Sequence, residues 1–166
     1  MNLRNCLIAA AVVAGCFSPA WSQSDDVAAI NASVQHMVAS VNAKDIDGIM
    51  SYYVPDNTLF VFDSTAPRQY VGADAYRKDW QTFLSIFPKT VHMEMSDWKA
   101  EADGNLAFGH GIVHTVGAMQ DGTTMDMTVR ITDVFRKVNG KWLVIHEHVS
   151  WPVDMTTGKP DFDSKP

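Results

Sequence analysis

From Asp25 to Val41, apolar residues recur at three- and four-residue steps: Val27, Ile30, Val34, Met37, Val38 and Val41. That spacing predicts an amphipathic helix. Asp25 and Asp26 suit its start, where the helix dipole favours negative charge. A short second helix is expected from Asp45, a side chain able to cap it, with Ile46, Ile49, Met50 and Tyr53 on one side. Leu59 to Phe62 reads as a short strand with Asp63 at its exit, and Arg68 to Val71 as another, closed by Gly72. A third helix is predicted over Ala73 to Phe87, with an aromatic stripe of Tyr76, Trp80, Phe83 and Phe87, and Pro88 to stop it. Beyond it the period falls to two. Thr90 to Glu101, Leu106 to Val116, Thr124 to Val138 and Lys141 to Trp151 alternate as strands.

The turns between these runs are Asp103-Gly104, Asp121-Gly122 and Asn139-Gly140, each a dipeptide type suited to a two-residue hairpin. The pattern therefore predicts an α+β fold in which an antiparallel meander curls around three N-terminal helices. Two-residue turns would also set the register. They predict rows of Met93, His114, Val129 and Ser150; of Met95, Ile112, Ile131 and His148; and of Asp97, His110, Asp133 and His146. These rows share one face with Phe108, Phe135, Val144 and Trp142. That face is mostly apolar with a band of polar groups, as a ligand pocket usually is. The opposite face would carry Gly109, Gly111, Thr128, Arg130, Thr132, Arg136 and Glu147 among Val113, Val134, Leu143, Ile145 and Val149. It reads as the outer face, covered in part by a second subunit to make a homodimer. A bulge would flip part of this map, and the run containing Asp97 is where one is expected.

Charge and composition narrow the partners. The chain has 166 residues, enough for one core, and a formal net charge of -6 with no basic stripe. Nucleic acid is thereby disfavoured, because phosphate binding requires clustered Lys and Arg. Residues 1–22 read as a signal peptide: Arg4, the apolar run Leu7 to Val13, and the small-x-small site Ala20-Trp21-Ser22. The run is too short to span a membrane. A periplasmic or secreted protein is expected, or, if Val13-Ala14-Gly15-Cys16 is a lipobox, one lipid-anchored at Cys16. Residues 23–152 would then form the domain and 153–166 a polar tail. Both cysteines, Cys6 and Cys16, fall in the leader, so the domain would depend on its core rather than on a disulfide.

The predicted row makes His110, Asp133 and His146 neighbours. A carboxylate between two imidazoles can orient one ring and raise its pKa, which suits a general base or acid. A buried band that merely satisfies its own hydrogen bonds would look the same. Asp63, at the mouth of such a cavity, is a further catalytic candidate, or else caps its own turn. His148, His114, Asp97, Trp80, Phe83, Tyr53 and Ile131 are candidate ligand contacts. His110, His146, His148 and Asp133 could alternatively hold a metal, but their spacing matches no tight metal motif. No nucleophile elbow, phosphate loop or dinucleotide fingerprint occurs, so no cofactor is expected.

The segments Tyr52-Tyr53-Val-Pro-Asp56, Arg68-Gln-Tyr-Val-Gly72, Leu106-Ala-Phe-Gly-His110 and Arg130 to Pro152 resemble the SnoaL-like, ketosteroid-isomerase-like proteins of the nuclear transport factor two-like superfamily. The last segment is also similar to the end of the calcium/calmodulin-dependent kinase II association domain. The resemblance implies a cone-shaped α+β barrel with a deep pocket, commonly a homodimer. Its members include isomerases, cyclases, dehydratases, epoxide hydrolases and non-catalytic modules, so it implies no single reaction. It places a general-base Asp in the region of Asp63, and an acid of an oxyanion pair in the region of Asp133. The expected protein binds or transforms a small apolar or amphipathic molecule, if catalytic by proton transfer without a cofactor. A non-catalytic binding or oligomerisation module and a metal-dependent lyase or hydrolase are the alternatives.

Overall fold

The computed structural model describes residues 23–162; the leader and the Cys16 reading lie outside the described residues. Helices α1 (Gln23–Asn42), α2 (Ile46–Met50) and α3 (Ala73–Ser85) occupy the N-terminal half with strands β1 (Phe60–Phe62) and β2 (Tyr70–Val71). Strands β3 (Val91–Asp103), β4 (Leu106–Ala118), β5 (Thr124–Val138) and β6 (Lys141–Ser150) follow, then a small hairpin of β7 (Val153–Asp154) and β8 (Lys159–Pro160). The six-stranded sheet has the order β2-β1-β6-β5-β4-β3, with β1 parallel to β6 and the rest antiparallel. It curves around the helices without closing, and the α+β expectation holds.

The apolar stripe of α1 explains its placement. Ile30, Val34, Met37 and Val41 are buried, and burying such side chains contributes about 1.5–3 kcal/mol each. Polar clamps then fix the helix on the sheet. The Asn42 amide exchanges hydrogen bonds with the backbone of Met93 at 2.9 and 2.6 Å. The Trp98 indole N–H donates to Asn31 at 3.0 Å. Asp26 accepts from Lys137 at 2.6 Å and from Trp142 at 3.1 Å. Asp45 caps α2 as expected, accepting from the Gly48 N–H at 3.0 Å.

The register differs from the expected one, and it does so at turns and bulges. The β3–β4 turn centres on Gly104-Asn105, one position later than predicted, since Asp103 pairs with Leu106. A bulge at Asp97-Trp98, with Asp97 at φ +52°, then shifts the strand again, where a bulge was expected. The β4–β5 connection is longer than two residues, because Ala118 pairs with Thr124. Asp121 accepts from both the backbone N–H and the hydroxyl of Thr123, and the Gly122 N–H closes back on Met119. Asp133 consequently pairs with Gly109 and not with His110. Only Asn139-Gly140 behaves as the predicted two-residue turn, both residues having positive φ and Val138 pairing with Lys141.

A second bulge, at Ile145, decides the site. Phe135 pairs with Val144 but Val134 pairs with His146, so Asp133 faces Glu147 across the strands. Side-chain orientation alternates on a strand, and one extra residue exchanges the faces beyond it. Glu147, expected on the outer face diagonal to Arg130, is therefore inside, and His146 and His148 are outside. On β4 the inner face is Ala107, Gly109, Gly111, Val113 and Thr115 rather than the His110, Ile112 and His114 set. Glycine is required there for close approach: a Cβ on Gly109 would overlap the Trp98 ring.

Candidate functional site

Two cross-strand carboxyls lie at the base of a cavity of about 620 Å³ between the helices and the inner sheet face. Asp133 is fully buried and Glu147 is 2% exposed. Three tyrosines reach them from the helical half. Tyr52 donates to Asp133 Oδ2 at 2.8 Å, Tyr53 to Glu147 Oε2 at 2.9 Å and Tyr76 to Glu147 Oε1 at 2.5 Å. Tyr53 stacks edge-on against both Tyr52 and Tyr76, with centroids 5.2 Å apart in each pair. The turn after α2 delivers Tyr52 and Tyr53 because backbone bonds in both directions tie Tyr52 and Val54 to Val144.

Burial sets the electrostatics. It raises the Asp133 pKa well above the usual carboxylate range, and the charge of Glu147 opposite adds to this; the Tyr52 bond opposes it. Glu147 is pushed up to about 7, first by burial and also by the charge of Asp63, against the bonds from Tyr76 and Tyr53. All three phenols are held protonated, primarily by burial and then by the carboxyl charges. Near neutral pH the two facing carboxyls thus hold a proton between them. Asp133 and Glu147 share a hydrogen bond between their carboxyls; Asp133 Oδ1 has no other partner among the described residues, and Trp80 Nε1, Thr115 Oγ1 and Trp151 Nε1 have none. All four residues line the cavity. Buried polar atoms are rarely left so, and a ligand's polar groups are the natural complement.

Of the residues singled out from sequence, Asp133, Asp63, Trp80, Phe83 and Ile131 line this cavity. Asp63 sits half-buried at the exit of β1, accepting from the Thr65 N–H at 3.2 Å and from Tyr76 at 3.4 Å. Tyr53 lies behind the lining, on Glu147. The histidines are not brought to Asp133. His110 is exposed on the outer face, paired with Thr132. His146 donates through Nδ1 to the Phe60 carbonyl at 2.8 Å, and His148 is exposed with its ring 5.6 Å from that of Phe62. His114 bonds Asp126 at 2.8 Å and Glu94 at 3.3 Å on the same outer side. Asp97 is exposed at its bulge. Among the described residues, no three His, Cys, Asp or Glu side chains are placed to hold a metal ion. The proposed set of His110, His146, His148 and Asp133 is split between two faces.

Glu147, Tyr52 and Tyr76 are the site residues that the alternation pattern missed. A signal was present: Trp142-Leu-Val-Ile145 is apolar on both faces, which marks a change of phase. The parity that begins Leu143, Ile145 then continues through Glu147, Val149 and Trp151, whereas the other ends in His146, His148 and Ser150.

The SnoaL-like domain model matches residues 30–154. The chain belongs to the SnoaL-like domain family. Among solved structures, this SnoaL-like protein is similar to an NTF2-like protein of unknown function from Pseudomonas putida KT2440, at 29% identity and a TM-score of 0.76, covering 86% of this chain and 98% of that one. An NTF2-like superfamily protein from Salmonella enterica serovar Typhimurium matches at 17% identity and 0.73, covering 84% and 100%. A Xanthomonas campestris protein described as a calcium/calmodulin-dependent protein kinase II association domain matches at 21% and 0.63, covering 80% and 89%. No curated protein matches the chain.

Proposed function

We propose that this SnoaL-like pocket protein binds a small, largely apolar molecule and moves a proton on it, with Glu147 as the acid/base group. The observation that carries this reading is a carboxyl at the base of an apolar cavity, held by two phenols and titrating near 7. A group whose pKa lies near the working pH exchanges protons most effectively. Asp133, kept protonated by burial, and the unpartnered indole N–H groups of Trp80 and Trp151 are the donors for an oxygen or nitrogen that gains charge. Asp63 at the mouth is the second carboxyl within reach of Tyr76. Isomerisation, cyclisation and dehydration all need this set. Export follows as part of the proposal from residues 1–22, and a homodimer through the outer sheet face from the exposed Phe62 and Phe108 there.

Ring opening of nitrobenzisoxazole, which needs only a base in an apolar site, tests the reading. The expected rate rises with pH through about 7 and falls at least about 100-fold in Glu147→Gln. Asp63→Asn retains most of it. Equal rates for wild type and Glu147→Gln would remove Glu147 from the chemistry and leave a binding module.

A further inference from the structure

Three hydrogen-bond donors line the cavity without a partner among the described residues: the indole N–H groups of Trp80 and Trp151 and the Thr115 hydroxyl. Trp80 is 8% exposed and Thr115 only 1%. Polar groups held this far from water call for acceptors. An indole N–H can only donate, and so can an ammonium group, so a cationic ligand would leave the indoles unanswered. An anion would answer them but finds no counter-charge, since the lining residues include Asp63, Asp79 and Glu147 and no Lys, Arg or His. The complement is an uncharged molecule with acceptor oxygens.

The number and placement of the donors say more. A carbonyl oxygen has two lone pairs, so these three groups and the protonated carboxyl pair need more than one acceptor atom. Register separates them. Thr115 pairs with Met93 on one side and Met127 on the other, and it lies six residues further along β4 than Gly109, the partner of Asp133. At about 3.3 Å per residue it stands up to about 20 Å from the carboxyl row, measured along the strand. The rows between contribute Val113, Val129, Ile131 and Val149, all of which line the cavity. The inner face is therefore polar, then apolar, then polar along its length. A valine would fill the place of Thr115 in this wall without burying a hydroxyl, so packing does not call for the oxygen there.

We propose that the pocket takes an uncharged, elongated molecule with an acceptor oxygen at each end of an apolar body, one oxygen at the carboxyl pair and the other at the Thr115 hydroxyl. The proposal rests on the reading of this cavity as the ligand site and adds the ligand's charge, its length and its second polar end. Thr115 thereby determines specificity without touching the atoms between which the proton moves. A ligand with a single oxygen satisfies the carboxyl end and leaves Thr115 unpaired.

The test uses the full chain and three probes sharing one thirteen-carbon body, followed by equilibrium dialysis at pH 6, below the Glu147 pKa of about 7. They are tridecanone with one carbonyl near its end, tridecanedione with a carbonyl near each end, and oxotridecanoate, in which a carboxylate replaces the second carbonyl. The dione is expected to bind at least about ten-fold tighter than the monoketone, although its added carbonyl makes it the less apolar of the two, and the keto acid more weakly than either. Thr115→Val removes the hydroxyl and keeps the shape. In that variant the dione should bind no better than the monoketone, whose affinity is unchanged, and the urea midpoint should not fall. A dione no tighter than the monoketone in the wild type, or an advantage that survives Thr115→Val, would overturn the two-ended ligand while leaving the pocket and its proton chemistry standing. A keto acid as tight as the dione would overturn the uncharged class. Binding of none of the three would overturn the pocket reading itself.

Discussion

The β5–β6 hairpin presents two chemistries on its two faces. Inside, Asp133 and Glu147 sit opposite one another, buried and held by phenols. Outside, Thr132, His146 and His148 are neighbours on the same strands, flanked by Phe60 and Phe62. The residue types alone would assign the acid/base role to the histidines, since imidazole titrates near neutrality without help. The fold assigns it to a carboxyl instead, because burial moves Glu147 up to about 7. What a side chain can do here is set by the face it is on, and the face is set by one extra residue, Ile145.

The largest test of that difference is a matched pair of truncations. Phe135 is fully buried on the inner face, stacked edge-on with Tyr52 at 5.7 Å, whereas Phe108 on the outer face is 45% exposed. Phe135→Ala should cost about 3–5 kcal/mol through lost burial and a cavity. Phe108→Ala should cost less than about 1 kcal/mol in the monomer. Urea unfolding of both variants checks this, and similar midpoints would mean that the faces are not as described. A Phe108 cost that grows with protein concentration would instead show that the outer face is covered by a second copy.

The second test is pH. Glu147 has a folded pKa of about 7 against 4.5 unfolded. For an acid raised by folding, the stabilisation is fully present below the unfolded value and lost as pH rises through the folded one. The expected loss from Glu147 between pH 4.5 and 7 is on the order of 3 kcal/mol. Asp133, raised by burial and by the charge of Glu147 opposite, adds to the decline. In Glu147→Gln the decline over that window should flatten. An unchanged profile of denaturation midpoint against pH would show that Glu147 is solvated and not part of the inner face.

The fold was legible because its determinants are local and periodic. The α1 stripe, the Asp45 cap and the Asn139-Gly140 turn each act within a few residues. The pocket's aromatic wall was legible for the same reason, through the helical spacing of Tyr76, Trp80 and Phe83. The carboxyl pair was not, because pairing across strands accumulates every upstream irregularity. Asp121-Gly122 looks like a two-residue turn, yet the Thr123 bonds to Asp121 lengthen it. One residue there moves Asp133 from His110 to Gly109. The glycines at 109 and 111 were informative in retrospect, as they mark where the Trp98 ring lies against the inner face.

The smallest effect is expected at His114, the one outer-face histidine with charged partners of its own among the described residues. Asp126 at 2.8 Å raises its pKa most, with Glu94 at 3.3 Å adding to this and partial burial opposing it. A base raised by folding stabilises the protein below its unfolded value and loses that contribution as pH rises through the folded one. His114 therefore favours low pH, as Glu147 does, but for the opposite electrostatic reason: it gains a partner, whereas Glu147 loses solvent. The ring is 35% exposed and its partners more so, so water screens the pair and His114→Gln should cost less than about 1 kcal/mol. Salt separates the two mechanisms. Raising ionic strength to 1 M should erase most of the His114→Gln difference, measured as the change in urea midpoint at pH 5.5, because exposed pairs are screened beyond about 3 Å at that salt. The Glu147→Gln difference should persist, since desolvation is insensitive to ions that cannot enter the cavity. Equal salt sensitivity in both variants would mean that the inner carboxyls are reached by bulk solvent, and the contrast between the two faces would collapse.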